Sequence, residues 1–134
     1  MDNNQKDLDI ENYTCLLQQI NALMKLTLSE IRYIYESYPH CIIDYCEKEV
    51  AEKLIEIRFD KQEVSITCTF NAEGKCNIIY LFSDKRETIE KLIHYLKAKH
   101  EYSYIKKRWT VSAYYACIKE TSDSPYGVYV MFYS

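Results

Sequence analysis

The sequence predicts an α+β fold: two N-terminal helices, then an antiparallel sheet of about five to six strands with a third helix inserted after the third strand. Two observations carry this prediction. Apolar residues recur at helical spacing near the N-terminus and again after residue 84, while β-branched and aromatic residues alternate in the segments between and beyond. The strands also come in uninterrupted runs, which is typical of antiparallel sheets rather than of βαβ units. The predicted order is α-α-β-β-β-α-β-β.

The first two helices are predicted over about residues 9–25 and from Thr27 onward. The first has an apolar stripe with helical spacing. Its members are Tyr13, Leu16, Leu17, Ile20, Leu23 and Met24. Thr27-Leu28-Ser29-Glu30 matches the capping box, in which the Thr27 hydroxyl and the Glu30 carboxylate each accept a hydrogen bond from a backbone N–H group. We expect Pro39 to end the second helix. The apolar face of that helix would be Leu28, Ile31, Ile34, Tyr35 and Tyr38.

Three strands are predicted next, over about residues 52–60, 62–70 and 76–82. Residues 40–51 fit a strand or a helix, and both alternatives remain open. Residues 71–75 form a predicted turn in which Gly74 can adopt a positive φ. In the hairpin that results, Cys68 lies near Ile79 and Cys76 near Asn71, so we expect the two thiols not to face each other.

The third helix is predicted to begin at a cap formed by Asp84 and Glu87. Its apolar stripe is Ile89, Leu92, Ile93 and Leu96. The remaining strands are expected near residues 102–108, 110–119 and 126–133, and residues 121–125 form the clearest loop in the chain.

Length and composition indicate one domain, residues 1–134, with residues 1–8 expected to be disordered. No apolar run approaches the roughly 20 residues of a membrane span, and the N-terminus does not resemble a signal peptide. The six cysteines lack the spacing of a zinc site, so we expect free thiols, no metal and no cofactor. These features predict a cytoplasmic protein that has no membrane partner.

Charge is distributed unevenly along the chain. Residues 1–60 carry a net charge of −6 and residues 61–134 a net charge of +3, which gives the total of −3. Such a division allows complementary surfaces within one fold or between two copies. A mildly acidic chain is not expected to bind nucleic acid indiscriminately.

Tyrosine is the compositional outlier, with 14 residues in the chain. Its rigid apolar ring and polar tip are typical of interfaces. Residues 126–133 are apolar at successive positions, so a covering layer or a partner must meet each face of that strand. We therefore predict a non-enzymatic protein-binding domain that binds itself, as a homodimer, or another protein through a Tyr-rich sheet face. The candidate binding residues are Tyr104, Trp109, Tyr114, Tyr129 and Tyr133.

Immunity-type and chaperone-type partner proteins are both compatible with this prediction. Two other functions remain as alternatives. Residues 97–109 interleave basic and aromatic side chains, which is the pattern of single-stranded nucleic-acid binding. The other alternative is a small-molecule-binding or catalytic domain with a Tyr-lined pocket. We predict no catalytic residue, because Glu90 and His94 could share a helix face but two such groups do not form a site.

Overall fold

Three helices and eight strands are present in the computed structural model, which describes the backbone of residues 2–47, 50–120 and 127–134 and the side chains of residues 12–42, 53–120 and 127–134. The helices are α1 (Asp2–Leu23), α2 (Leu28–Ile34) and α3 (Arg86–Lys99). The strands before α3 are β1 (His40–Glu47), β2 (Val50–Phe59), β3 (Val64–Phe70) and β4 (Cys76–Phe82). Those after it are β5 (Glu101–Ser103), β6 (Arg108–Val111), β7 (Tyr114–Glu120) and β8 (Val128–Tyr133).

All eight strands form one antiparallel sheet in the order β1-β2-β3-β4-β8-β7-β6-β5. The prediction of five to six strands with a helix after the third is therefore wrong: the sheet is larger, and α3 follows the fourth strand. One additional strand is β1, which forms from the segment left open between strand and helix. It pairs with β2 from His40 opposite Ile57 to Glu47 opposite Val50. β1 lies at the edge of the sheet and has one neighbouring strand rather than two. An edge strand does not need a clear alternation of apolar and polar residues, which is why the sequence did not identify it.

The second error concerns residues 102–108, which were predicted as one strand. The structure divides them between β5, a turn and β6. Lys107 in this turn has a φ of 54°, and Ser112 in the next turn has a φ of 57°. Glycine is the usual residue at such positions, so neither turn has the residue that would have revealed it.

The helix boundaries also differ in part from those predicted. The capping box at Thr27 is confirmed, because the Thr27 hydroxyl accepts from the Glu30 N–H while the Glu30 carboxylate accepts from the Thr27 N–H. The predicted cap of α3 at Asp84 is wrong: the cap position is Lys85, and no side chain caps the helix. α1 begins at Asp2, within the residues expected to be disordered, and α2 ends at Ile34, before Pro39.

The helices pack on one face of the sheet, where buried residues from all three join those of the strands in a single core. Alternate residues of the central strands point into this core, such as Ile79 and Leu81 of β4 and Val130 and Phe132 of β8. Ile34 was assigned to the apolar face of α2 but is exposed. Covering one face leaves the other face of the sheet without a helical layer.

The β3–β4 hairpin pairs Cys68 with Ile79, as predicted, but Cys76 lies opposite Phe70 rather than Asn71. A bulge near Thr69 and Phe70 shifts the register. Both cysteines are buried and free, and a hydrogen bond to the Cys76 thiol, together with burial, raises the pKa of the Cys68 thiol. The expectation that the two thiols do not face each other across the ladder is confirmed, because each cysteine lies opposite a different residue and both are free.

Candidate functional site

The face of the sheet opposite the helices has an aromatic centre, and we call this surface the open face. In a strand, successive side chains point to opposite faces, so the neighbours of buried Ile79 and Leu81 in β4 lie on the open face. The aromatic centre consists of Ile78, Tyr80 and Phe82 of β4, Tyr129, Met131 and Tyr133 of β8, and Tyr115 and Cys117 of β7. Apart from Cys117, which is buried, these side chains are partly exposed.

Rings in the aromatic centre contact one another across the strands. The ring centroids of Phe82 and Tyr129 are 5.1 Å apart, and those of Tyr80 and Tyr129 are 5.9 Å apart. Tyr115 and Tyr133 form a third contact at 5.6 Å. These separations suit tilted and edge-to-face packing, which holds the rings in place and presents a preorganised apolar surface.

Arg108 on β6 closes one flank of the aromatic centre. Its guanidinium carbon lies 3.6 Å from the centroid of the Tyr115 ring, and Nη1 donates a hydrogen bond of 3.3 Å to the Tyr133 hydroxyl. Stacking on one ring and bonding to another orders the guanidinium. Next to it, burial raises the pKa of the Cys117 thiol, so Cys117 acts as part of the apolar surface.

The opposite flank of the aromatic centre, along β3, is polar and has shorter side chains. The open-face residues of β3 are Ser65, Thr67 and Thr69, which are smaller than the residues of β2 and β4 on either side. A cavity of about 250 Å³ above β3 is lined by Glu56, Arg58, Ser65, Thr67, Phe82, Ser83 and Asp84. A second cavity of about 680 Å³ lies at the turn end of β3, and Leu54, Thr69, Ile78 and Tyr80 are among its lining residues. The small hydroxyl residues therefore form a trough beside the aromatic centre, which we call the β3 trough.

The structure separates the five predicted binding residues. Tyr129 and Tyr133 lie on the open face, close to the rings described above. Tyr114 and Trp109 are buried on the helix side, where the Tyr114 hydroxyl donates to the Leu17 carbonyl at 2.9 Å. Tyr104 is 85% exposed in the turn after β5. The prediction of a Tyr-rich site thus includes residues from both faces of the sheet.

Sequence reasoning missed Tyr80, Phe82, Tyr115 and Arg108. Successive side chains of β4 and β8 point to opposite faces of the sheet, but both sets of side chains are apolar. The sequence therefore did not show which set meets the helices. Two parts of the prediction, Tyr126 and the loop at residues 121–125, lie outside the described residues.

The aromatic rings of residues 97–109 contact one another in series, with Tyr104 edge-on to Tyr102 at 5.1 Å, but they differ in exposure. The rings of Tyr102 and Trp109 pack against each other at 4.7 Å, and Trp109 is buried. Tyr104 is the exposed ring of the three, and Arg108 stacks on Tyr115 instead of extending into solvent. Because Trp109 is buried and the Tyr102 and Tyr104 rings meet edge to face, these rings do not form a flat, open stacking platform.

Side chains that could bind a metal ion are dispersed over residues 12–42, 53–120 and 127–134. No cluster of three or more His, Cys, Asp or Glu residues suited to a metal ion occurs in these ranges. Glu90, considered above with His94, forms an ion pair with Arg86 at 3.3 Å. Within the described part of the chain, no helix has both the length and the apolar character needed to cross a membrane.

Comparison with known proteins adds no relative. No protein-family description, no curated protein and no solved structure matches this chain. The candidate site therefore rests on its own geometry, and the open face is the surface in which ordered aromatic rings, a stacked guanidinium and a trough come together.

Proposed function

We propose that this chain is a non-enzymatic, cytoplasmic protein-binding domain that docks a protein surface on its open face. The observation that carries the proposal is the one-sided cover of the sheet, which leaves ordered rings such as Phe82 and Tyr129 partly exposed. Tyr and Arg are enriched at the energetically dominant positions of protein interfaces. Tyr buries a large, rigid area at a low entropic cost, and the Arg108 guanidinium is already ordered by its contacts with Tyr115 and Tyr133.

The arrangement of the open face supports this role over small-molecule binding. An apolar centre is flanked by hydroxyl groups of Thr67 and Thr69 on one side and by Arg108 on the other. An apolar centre with a polar rim is the usual organisation of a protein interface. Small-molecule sites are concave and enclose most of their ligand, whereas the rings of the open face spread across neighbouring strands.

The free thiols support the cytoplasmic assignment. Cys15 and Cys41 are exposed and unpaired, and Cys68, Cys76 and Cys117 are buried and unpaired. Exposed free thiols are ordinary in a reducing compartment and become oxidised outside it.

The proposal is tested by changing rings on the open face and, separately, rings elsewhere. The tagged chain is isolated from its native cells after chemical cross-linking, as wild type, as Tyr80→Ser/Tyr129→Ser, and as the control Tyr33→Ser/Tyr104→Ser. The control removes two tyrosines that are 80% and 85% exposed away from the open face. We expect the cross-linked partner, whether a second copy or a different protein, to be lost only with the open-face variant.

Amide hydrogen exchange on the purified complex gives an independent readout. Binding at the open face should slow exchange in β4 and β8 relative to the unbound chain. A partner that binds both variants equally, or protection confined to α2 or to the turn after β5, would reject the open face as the binding surface.

A further inference from the structure

We infer that the occupant of the open face is a second copy of this chain, placed by a two-fold axis that runs along the strands between β4 and β8. This inference rests on the proposed function and adds the identity of the partner. Its basis is the order of the strands on the two sides of that axis: β4, β3 and β2 on one side, and β8, β7 and β6 on the other. The axis therefore places β4 on β8, β3 on β7 and β2 on β6 of the second copy.

Charge is complementary in this arrangement. Ladder pairing aligns Glu56 of β2 with Thr67, Tyr80, Met131 and Cys117 in one row across the sheet. Arg108 is the residue of β6 that continues this row, because its neighbour Trp109 pairs with Ala116.

A two-fold axis along the strands keeps each row at its own level, so Glu56 of one copy approaches Arg108 of the other. The contact forms twice because the interface is isologous. Arg58, the other charge on the open face of β2, lies at the level of Lys119 rather than of Arg108, and its pairing with Asp60 at 3.3 Å offsets its charge there.

Shape is complementary as well. The β3 trough of one copy, with Ser65, Thr67 and Thr69 as its floor, faces β7 of the other, whose open-face residues include Tyr115 and Lys119. Small residues thus lie opposite large ones, and the cavities of about 250 and 680 Å³ provide room for the larger side chains. Along the axis, Tyr80 meets Met131 and Phe82 meets Tyr129 of the second copy.

The available area suits a dimer of ordinary size. Strands lie about 4.8 Å apart, and residues on one face of a strand repeat every ~6.8 Å. Six strands and three rows therefore span roughly 600 Å² in projection, and the accessible area of protruding side chains exceeds the projected area. A standard interface buries about 800 Å² per partner. Two sheets packed face to face align within about 30°, and the long side chains of Glu56 and Arg108 can bridge the offset that this rotation produces.

A charge exchange tests the arrangement. Sedimentation or light scattering over a range of concentrations gives the dissociation constant of the wild type, of Glu56→Arg, of Arg108→Glu and of the double variant that carries both changes. We expect each single variant to weaken self-association by about 10-fold or more and the double variant to recover most of that loss. Glu87→Arg, at an exposed position in the first turn of α3 on the other side of the sheet, is the control and should leave the constant unchanged.

Thr67→Arg provides a second route that leaves the Arg108 contacts intact. It fills the β3 trough and should leave a folded chain at the monomer mass of 16.0 kDa. Circular dichroism verifies that each variant is folded.

The outcomes separate the two proposals. A wild type that stays at 16.0 kDa at all concentrations, or a double variant as weak as the single ones, overturns this dimer. If Tyr80→Ser/Tyr129→Ser still abolishes cross-linking to a different protein, the proposed function survives that result. A dimer that both this open-face variant and Thr67→Arg leave intact would overturn the dimer described here, and the proposed function fails with it if the open-face variant also keeps every other cross-linked partner.

Discussion

Tyrosine has two distinct roles in this chain, and the environment of each hydroxyl shows which one applies. The Tyr114 and Tyr35 hydroxyls lie within the core region, where they donate to the Leu17 carbonyl at 2.9 Å and to the Gln19 side-chain oxygen at 3.1 Å. On the open face the rings contact one another and remain partly exposed. A buried phenol with a partner contributes to stability, whereas a half-exposed ring contributes area for binding.

Ionisation of Tyr35 should make the protein less stable at high pH. Burial raises its pKa from 10.0 to about 12, so the unfolded chain loses the phenol proton first. Stability is therefore retained below about pH 10 and decreases as the pH rises from 10 through 12, by roughly 2–3 kcal/mol at most for this residue. Urea unfolding at a series of pH values should show a smaller decrease for Tyr35→Phe than for the wild type.

Tyr33→Phe is the matched control, because it removes a phenol that is 80% exposed rather than buried. Burial also raises the pKa of Tyr114, so part of the decrease should persist in Tyr35→Phe. Equal pH dependence in all three proteins would contradict the role assigned to the Tyr35 phenol.

At the scale of single elements, the tight turns are the least expected features. Val111 pairs with Tyr114, so Ser112 and Ala113 form a two-residue loop between β6 and β7. Ser112, the first loop residue, has a φ of 57°. A positive φ at this position is typical of a type II′ turn, where glycine is preferred because a side chain is strained there.

Ser112→Gly should therefore stabilise the protein, although glycine in a sheet protein usually has the opposite effect. Relief of the left-handed conformation is worth about 1 kcal/mol, and the greater freedom of glycine in the unfolded chain offsets part of it. Ala113→Gly is the control, since Ala113 is not among the described residues with a positive φ, and this change should be neutral or destabilising. Thermal and urea unfolding measure both, and a loss of stability in Ser112→Gly would contradict the turn assignment.

The elements differ in how far the sequence could predict them. The capping box at Thr27, the stripe of α3 and strands β3 and β4 are determined by local patterns, and the structure contains each of them. Turns at Lys107 and Ser112 depend on strained conformations that tertiary pairing imposes, and no local residue preference signals them. The bulge that places Cys76 opposite Phe70 instead of Asn71 is likewise a property of the assembled hairpin.

For the candidate site, composition alone indicated a Tyr-rich surface. The sequence could not assign Tyr114 to the core and Tyr115 to the open face, because a strand with two apolar faces has no polar alternation to orient it. That choice depends on which face α1 and α3 cover, and this is a property of the whole chain.

At the scale of the whole molecule, the fold is a sheet whose two faces are covered differently. The core face is covered by three helices and excludes water. Across the open face, Glu56 lies toward one flank, and Arg108 and Lys119 lie toward the other. Glu56 belongs to the acidic half of the chain, and Arg108 and Lys119 belong to the basic half. One face thus provides the stability of the monomer, and the other is available for association.

Two phenylalanines on neighbouring strands test this division directly. Phe132 of β8 is fully buried on the core face, 5.8 Å from the Tyr114 ring, whereas Phe82 of β4 is partly exposed on the open face. Phe132→Ala removes a core ring and should lower the free energy of unfolding by about 3–5 kcal/mol. Phe82→Ala should cost only about 1 kcal/mol in the monomer, because its ring loses less burial.

Self-association should show the reverse order of effects. In the proposed dimer, Phe82 faces Tyr129 of the second copy. Phe82→Ala should therefore weaken the dimer more than Phe132→Ala does, when only folded molecules are compared. Urea unfolding at concentrations below the dissociation constant isolates monomer stability, and light scattering measures association. Equal losses of monomer stability for the two variants would mean that both faces of the sheet are covered within one chain, and the assignment of separate roles to the two faces would fail.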